Sequence, residues 1–449
     1  MERHKHKVNI WIAAFLQVAV LMFASCSNDD YLNAIPDDSQ LLMSMNTSKL
    51  SGAGNPLILK SLLHVSKVGD MGLDLSDRVF LFEDAQGNIG LCTKVDDSGK
   101  LRKTLGNAGV EVTEKRGFRF AALQGSWLIG FSDKAALLMG PVVPAAQDDM
   151  TTLMARYLAA NEEDGIKASP IYDKLDSIDA PIALVCQTKA LPQQFVAPFT
   201  IGAPKDAAPA DVMLSAAMEV KDGRLLMNGS TFSFKKAVNK ALVDARKIYR
   251  PIKGDYVKSM SEDDFMGLFL NVDGRQFHQL VTQNRGISTM LAGINAAIDM
   301  DNILKSVNGE LAMFVPNAGG ESFSLRMAAR LSSAPWLDDV AYWKQSVPQG
   351  GFIGDWGKNC HYYRSADISY YFGVTPDMQY MSGGSKEEAL QSIKPSGRPV
   401  SADLQKLVVG QKLVMIMNFD ALKGGKAEAL TSLLKPVFGE LNSIVYTLK

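Results

Sequence analysis

The chain of 449 residues carries 47 Lys and Arg against 48 Asp and Glu, a formal net charge of −1. A balance this neutral excludes the clustered basic face that nucleic-acid binding needs. The hydrophobic share of 47% is that of a globular chain, and the length suits two or more domains.

The first element is apolar. After Arg3, Lys5 and Lys7, residues Ile10 to Ala24 contain only one strongly polar side chain, Gln17. A helix of that length spans about 22 Å, short of the roughly 30 Å hydrocarbon core. Apolar segments of this size followed by small residues are read as export signals. Here Ala24-Ser25 runs into Cys26 and then the acidic Ser27-Asn28-Asp29-Asp30. The stretch resembles a bacterial lipobox, whose cysteine is lipidated on its thiol and acylated at the N-terminus that cleavage creates. The resemblance implies a signal peptide over 1–25, a palmitate-type lipid anchor on Cys26 and an acidic tether over 26–34. The acidic run also resembles the export signal of surface lipoproteins of the Bacteroidota. It implies an outer-membrane location, facing the periplasm or the cell surface. No later apolar stretch is long enough to span a bilayer.

Further along, four segments share one design of apolar strand, amide and helix-like start. They end at Asn46, Gln187, Asn271 and Asn418, and Asn46 to Asn271 spans 225 residues while Gln187 to Asn418 spans 231. A short polar side chain at a strand's end caps the turn or helix that follows. Strand–turn–strand segments recur in the same order in both halves. So do helices, one opened by Asp148-Asp149 and another by the capping box Ser385-x-x-Glu388. The expected fold class is therefore α+β: two tandem copies of one module with mostly antiparallel sheets and packed helices. The modules are expected over 35–234 and 255–449, with a linking helix in 235–254. The proline-rich loop 192–211 stands outside the repeat.

The opening Ile35-Pro36-x-Asp38, running into a strand and then Asn46, resembles a family of Bacteroidota outer-membrane lipoproteins of unknown function. That resemblance implies anchoring and architecture. It supplies no catalytic residue.

Chemistry is scarce in the sequence. No nucleophile elbow, phosphate loop, His-Glu-x-x-His or dinucleotide fingerprint is present. Ser233-x-x-Lys236 matches the Ser-x-x-Lys of penicillin-binding proteins but lacks its partner motifs, and is read as surface. Residues 161–165 and 299–302 lack calcium-loop spacing and are read as a solvated turn and a helix cap. His64, His278 and His361 stand alone, so no metal site is expected. Cys92, Cys186 and Cys360 lie outside any CxxC pairing and are read as buried free thiols, a disulfide between two of them being the alternative. No catalytic residue and no cofactor are assigned.

One anomaly is compositional. Eleven aromatics fall between Trp336 and Tyr380 in a chain that is 8% aromatic. Alternation places Tyr370 and Phe372 inward and Tyr371 outward. Trp336 and Trp343, two helical turns apart, share one face, and Trp356 lies in Gly-rich sequence. Trp336, Trp343, Trp356 and Tyr371 are the candidate binding residues, expected to be partly exposed and close together, with a glycan or a peptide as ligand. The expected function is a lipid-anchored, non-enzymatic binding or scaffolding role at the outer membrane. The alternative is an envelope hydrolase whose site assembles only in three dimensions.

Overall fold

The computed structural model describes residues 29–46, 71–123, 126–191, 196, 198–295, 298–316, 325–366, 368–422, 435 and 438–448. Residues 1–25 and Cys26 lie outside them. Packed structure begins inside the stretch read as a tether: Asp30–Ala34 form a short 3-10 helix with Tyr31, Leu32 and Ala34 buried.

Two compact units form, and neither is half of the chain. One gathers the described residues within 1–39 and 63–172, the other those within 40–62 and 173–449. Strand β1 (Leu41–Asn46) belongs to the larger unit. The smaller holds β2 (Leu73–Asp74), β3 (Arg78–Glu83), β4 (Ile89–Val95), β5 (Thr113–Lys115), β6 (Phe118–Leu123), β7 (Trp127–Phe131) and β8 (Ala135–Met139). These pair antiparallel in the order β5–β6–β7–β8–β4, with β3 and β2 along the other side of β4. Two glycines let rings lie flat on this sheet. A Cβ on Gly90 would sit 2.2 Å from the Phe82 ring, and one on Gly130 2.6 Å from Phe120. The helix Gln147–Leu158 buries Met150, Met154 and Ala155, the inward stripe of an amphipathic helix.

The larger unit continues with β9 (Ile182–Gln187), β10 (Met213–Lys221), β11 (Arg224–Phe232), β12 (Asp264–Asp273), β13 (Val307–Pro316) and β14 (Arg326–Leu331). Then come β15 (Phe352–Gly357), β16 (Cys360–Arg364), β17 (Ser369–Val374), β18 (Gln379–Gly383), β19 (Leu413–Asn418) and β20 (Ser443–Leu448). Their order is β1–β9–β10–β11–β20–β19–β12–β13–β14–β18–β17–β16–β15. Every pair in it is antiparallel except β11–β20, so the sheet is mixed. Alternation serves both faces of its centre. Leu270 and Val272 enter a core with Phe277, Trp336, Trp343, Phe372 and Tyr380, while Phe269 enters one with Tyr256, Phe314, Val408 and Ile416.

This arrangement corrects the expected tandem duplication. Strands from the first half of the chain join the sheet of the second, with β11 beside β20 from Arg224 opposite Ser443 to Gly229 opposite Leu448. The repeated amides also do different work. Asn418 accepts from the Asp420 N–H at 3.2 Å and caps a 3-10 turn. Gln187 makes no capping bond to the turn after it. The Asn271 amide donates to the Pro251 carbonyl at 2.7 Å, and Asp273 caps the helix Gly274–Gln283 instead. A polar residue where a strand meets a helical turn is a local solution that recurs without duplication. Two helix starts follow the sequence reading: Ser385 accepts from the Glu388 N–H and Asp299 from the Asn302 N–H. Cys92, Cys186 and Cys360 are buried free thiols.

Candidate functional site

The aromatic-rich segment builds the end of the larger sheet, β14–β18–β17–β16–β15. In β17 the predicted alternation holds. Phe372 is buried, Tyr370 packs against the same core with its hydroxyl 2.8 Å from that of Tyr380, and Tyr371 points to the opposite face. Tyr362 lies directly opposite Tyr371 and Gly354 directly opposite Tyr362. Phe352, Gly354 and Trp356, at alternate positions of β15, complete this face.

Its rings form a row. Tyr362 and Tyr371 stack with centroids 5.3 Å apart, Phe352 approaches Tyr362 at 5.9 Å, and Trp356 approaches Tyr371 at 6.3 Å. Phe352 is 59% exposed, and Trp356, Tyr362 and Tyr371 are half-buried. Glycine is required at 354, because a Cβ there would lie 2.6 Å from the Tyr362 ring. The Trp356 indole N–H donates to the His361 carbonyl at 2.8 Å and holds the ring in place. Two exposed cations sit on the row: the Arg364 guanidinium 5.5 Å over Tyr362, also donating to the Tyr371 hydroxyl at 3.0 Å, and the Lys386 ammonium 5.5 Å over Trp356.

Trp336 and Trp343 are elsewhere. They do share one face, stacked 6.0 Å apart and within 5° of parallel, but that face turns into the core against Phe372. Trp336 is 1% exposed and Trp343 7%. The expected four-residue cluster is corrected to two pairs, a buried Trp336–Trp343 and a half-exposed Trp356–Tyr371. The reason is that Pro335 opens a 3-10 turn rather than a loop, and the turn folds Trp336 beneath the sheet. Sequence reasoning passed over Phe352, Tyr362, Arg364 and Lys386. Tyr362 had a signal: in the hairpin "HYYRSADISYYF" the two Tyr pairs face each other once the turn is centred, giving Tyr362 opposite Tyr371.

On the other face of β15, the exposed Asp355 accepts from the Lys344 ammonium at 2.7 Å and meets His361 Nδ1 at 2.6 Å. These bonds, Lys344's foremost, hold its carboxyl below the usual range. His278 is likewise not alone, lying 3.1 Å from Asp301.

Among the described residues no group of three His, Cys, Asp or Glu side chains is placed to hold a metal. Two buried carboxylates raised by burial are tied up structurally. Asp264 is ion-paired with Arg326, itself over the Phe314 ring, and Glu310 accepts the backbone N–H groups of Lys253, Gly254 and Asp255. Ser233 was read as surface and proves buried, its hydroxyl accepting the Lys235 N–H at 3.1 Å. The strand turns there, and the serine folds under its own backbone.

The class defined so far is a mixed-sheet protein with helices that carries a row of partly exposed aromatic rings on one sheet face. The chain belongs to the family DUF4836, a domain of unknown function, which matches residues 33–387 and so spans the whole aromatic face. No curated protein matches it. Among solved structures it is similar to crystal form I of TP0453, at 10% identity over 44% of this chain and 76% of that one, with a TM-score of 0.28. No helix among the described residues is long and apolar enough to cross a membrane.

Proposed function

We propose that the protein is a lipid-anchored, non-enzymatic binding protein of the outer membrane of a member of the Bacteroidota, and that it holds a glycan on the aromatic face of β15–β17. The apolar segment ending at Cys26 supports the anchor. One observation carries the binding role: four aromatic rings stand in a row on the sheet surface, Phe352 exposed and the other three half-buried, with packed core behind them. Aromatic rings that keep part of their apolar area in water gain by meeting a partner there. A row, unlike a deep cavity, suits a chain of sugar rings laid across it, apolar faces against the aromatic rings and hydroxyls toward the Tyr hydroxyls.

Titration of the purified protein with envelope and host glycans and with peptides tests this. The expected result is glycan binding that is lost in Tyr362→Ala and Trp356→Ala with the melting temperature nearly unchanged. Binding that survives both substitutions, or that is confined to peptides, overturns the reading.

A further inference from the structure

The two cations on the aromatic face differ from Lys344, which Asp355 of β15 neutralises at 2.7 Å. Arg364 and Lys386, both exposed, have no carboxylate partner among the described residues. Each is held instead over a ring of the row, Arg364 at the Tyr362 end and Lys386 at the Trp356 end. A cation kept over an aromatic ring is positioned but not neutralised. The Tyr371 hydroxyl occupies one guanidinium nitrogen of Arg364 as acceptor, which leaves further N–H groups of its planar fork free for an oxyanion. The acid nearest in β15, Asp355, is turned to the other side and spent on Lys344 and His361.

We infer that the aromatic face is built for an anionic glycan: sugar rings lie on Phe352, Trp356, Tyr362 and Tyr371, and carboxylate, phosphate or sulfate groups pair with Arg364 and Lys386. This rests on the glycan reading above and names the charge class of its ligand. Charge-assisted pairing of this kind adds affinity and strong salt dependence to the sequence-tolerant stacking of the rings.

The test uses the purified full chain with three probes: polygalacturonate, a sulfated polysaccharide such as dextran sulfate, and unsubstituted dextran as the neutral control. Calorimetric titration should show one or both anionic polymers binding and dextran not, with affinity falling steeply between 50 mM and 500 mM salt. Arg364→Gln with Lys386→Gln should weaken that binding by about tenfold or more, and Arg364→Lys should restore part of the loss in the single-site series. The melting temperature of each variant reports that the fold is kept. If Trp356→Ala and Tyr362→Ala abolish binding while the Gln variants bind as the parent does, or if dextran binds equally well, the anionic assignment is overturned and the aromatic face stands. If neither set changes binding, both readings fall. Polyglutamate that binds where no glycan does assigns the face to acidic peptides and overturns the inference, as does failure of every anionic polymer to bind.

Discussion

Trp336 and Trp356 are the same residue type in neighbouring segments, with opposite fates. Trp336 is enclosed by Trp343, Phe372 and Tyr380, whereas Trp356 lies on the sheet surface under the Lys386 ammonium. Truncating the first removes a fully packed indole and leaves a cavity, so Trp336→Ala should cost about 3–5 kcal/mol in urea unfolding. Trp356→Ala gives up one hydrogen bond and partial burial, and should cost about 1 kcal/mol. Equal costs would place Trp356 in the core and remove it from the binding face. The outward turn of Tyr371 was legible from strand alternation alone. The inward turn of Trp336 was not, because the helical spacing that sets it on one face with Trp343 does not say whether that face packs inward, and its burial depends on Phe372 of β17 and Tyr380 of β18 packing against it.

At the scale of elements, β15 is the point where the binding face is most dependent on its supports. Among the described residues it pairs with β16 alone; Ile353 packs it into the core, and Asp355 ties it to Lys344 of the helix Val340–Ser346 and to His361. Since those bonds hold the carboxyl below its ordinary value, ionised Asp355 favours the folded state above about pH 4, and that contribution is lost as the pH falls through the lowered folded value. Asp355→Asn should therefore be slightly less stable than the parent at pH 7, with the difference closing as the pH falls below about 4. Unfolding curves at neutral and at acid pH measure it. A gap that widens toward low pH would show that the ion pair is not what anchors the strand. Exposure of Asp355 to solvent keeps the effect small. Helix starts were the most legible elements. Ser385 and Asp299 cap where their sequence says, because a cap and its amide lie three residues apart.

For the whole molecule, the decisive fact is that one sheet draws on strands from both halves of the chain. A fragment of residues 255–449 exposes the edge of β20 that β11 covers, including the Tyr446 hydroxyl that donates to the Gly229 carbonyl. That fragment should be aggregated or molten by near-ultraviolet circular dichroism and size-exclusion chromatography, while residues 173–449, which restore β9, β10 and β11, should be better folded and monomeric. A cooperative, monomeric 255–449 would mean that the second half is a module in its own right. The sequence by itself determined what depends on near neighbours: apolar strands and their two faces, helix caps, thiols buried in apolar strands, and an aromatic-rich segment that marks the candidate site. Only the tertiary structure decided that the amide-ended strands belong to one sheet instead of two copies, which rings see solvent, and that Arg364 and Lys386 sit over rings with no acid partner among the described residues. Pairing between strands more than two hundred residues apart, such as β11 with β20, is made by backbone groups that every residue type carries. A side chain's exposure is likewise set by whatever packs upon it, so neither leaves a local trace in the order of residues.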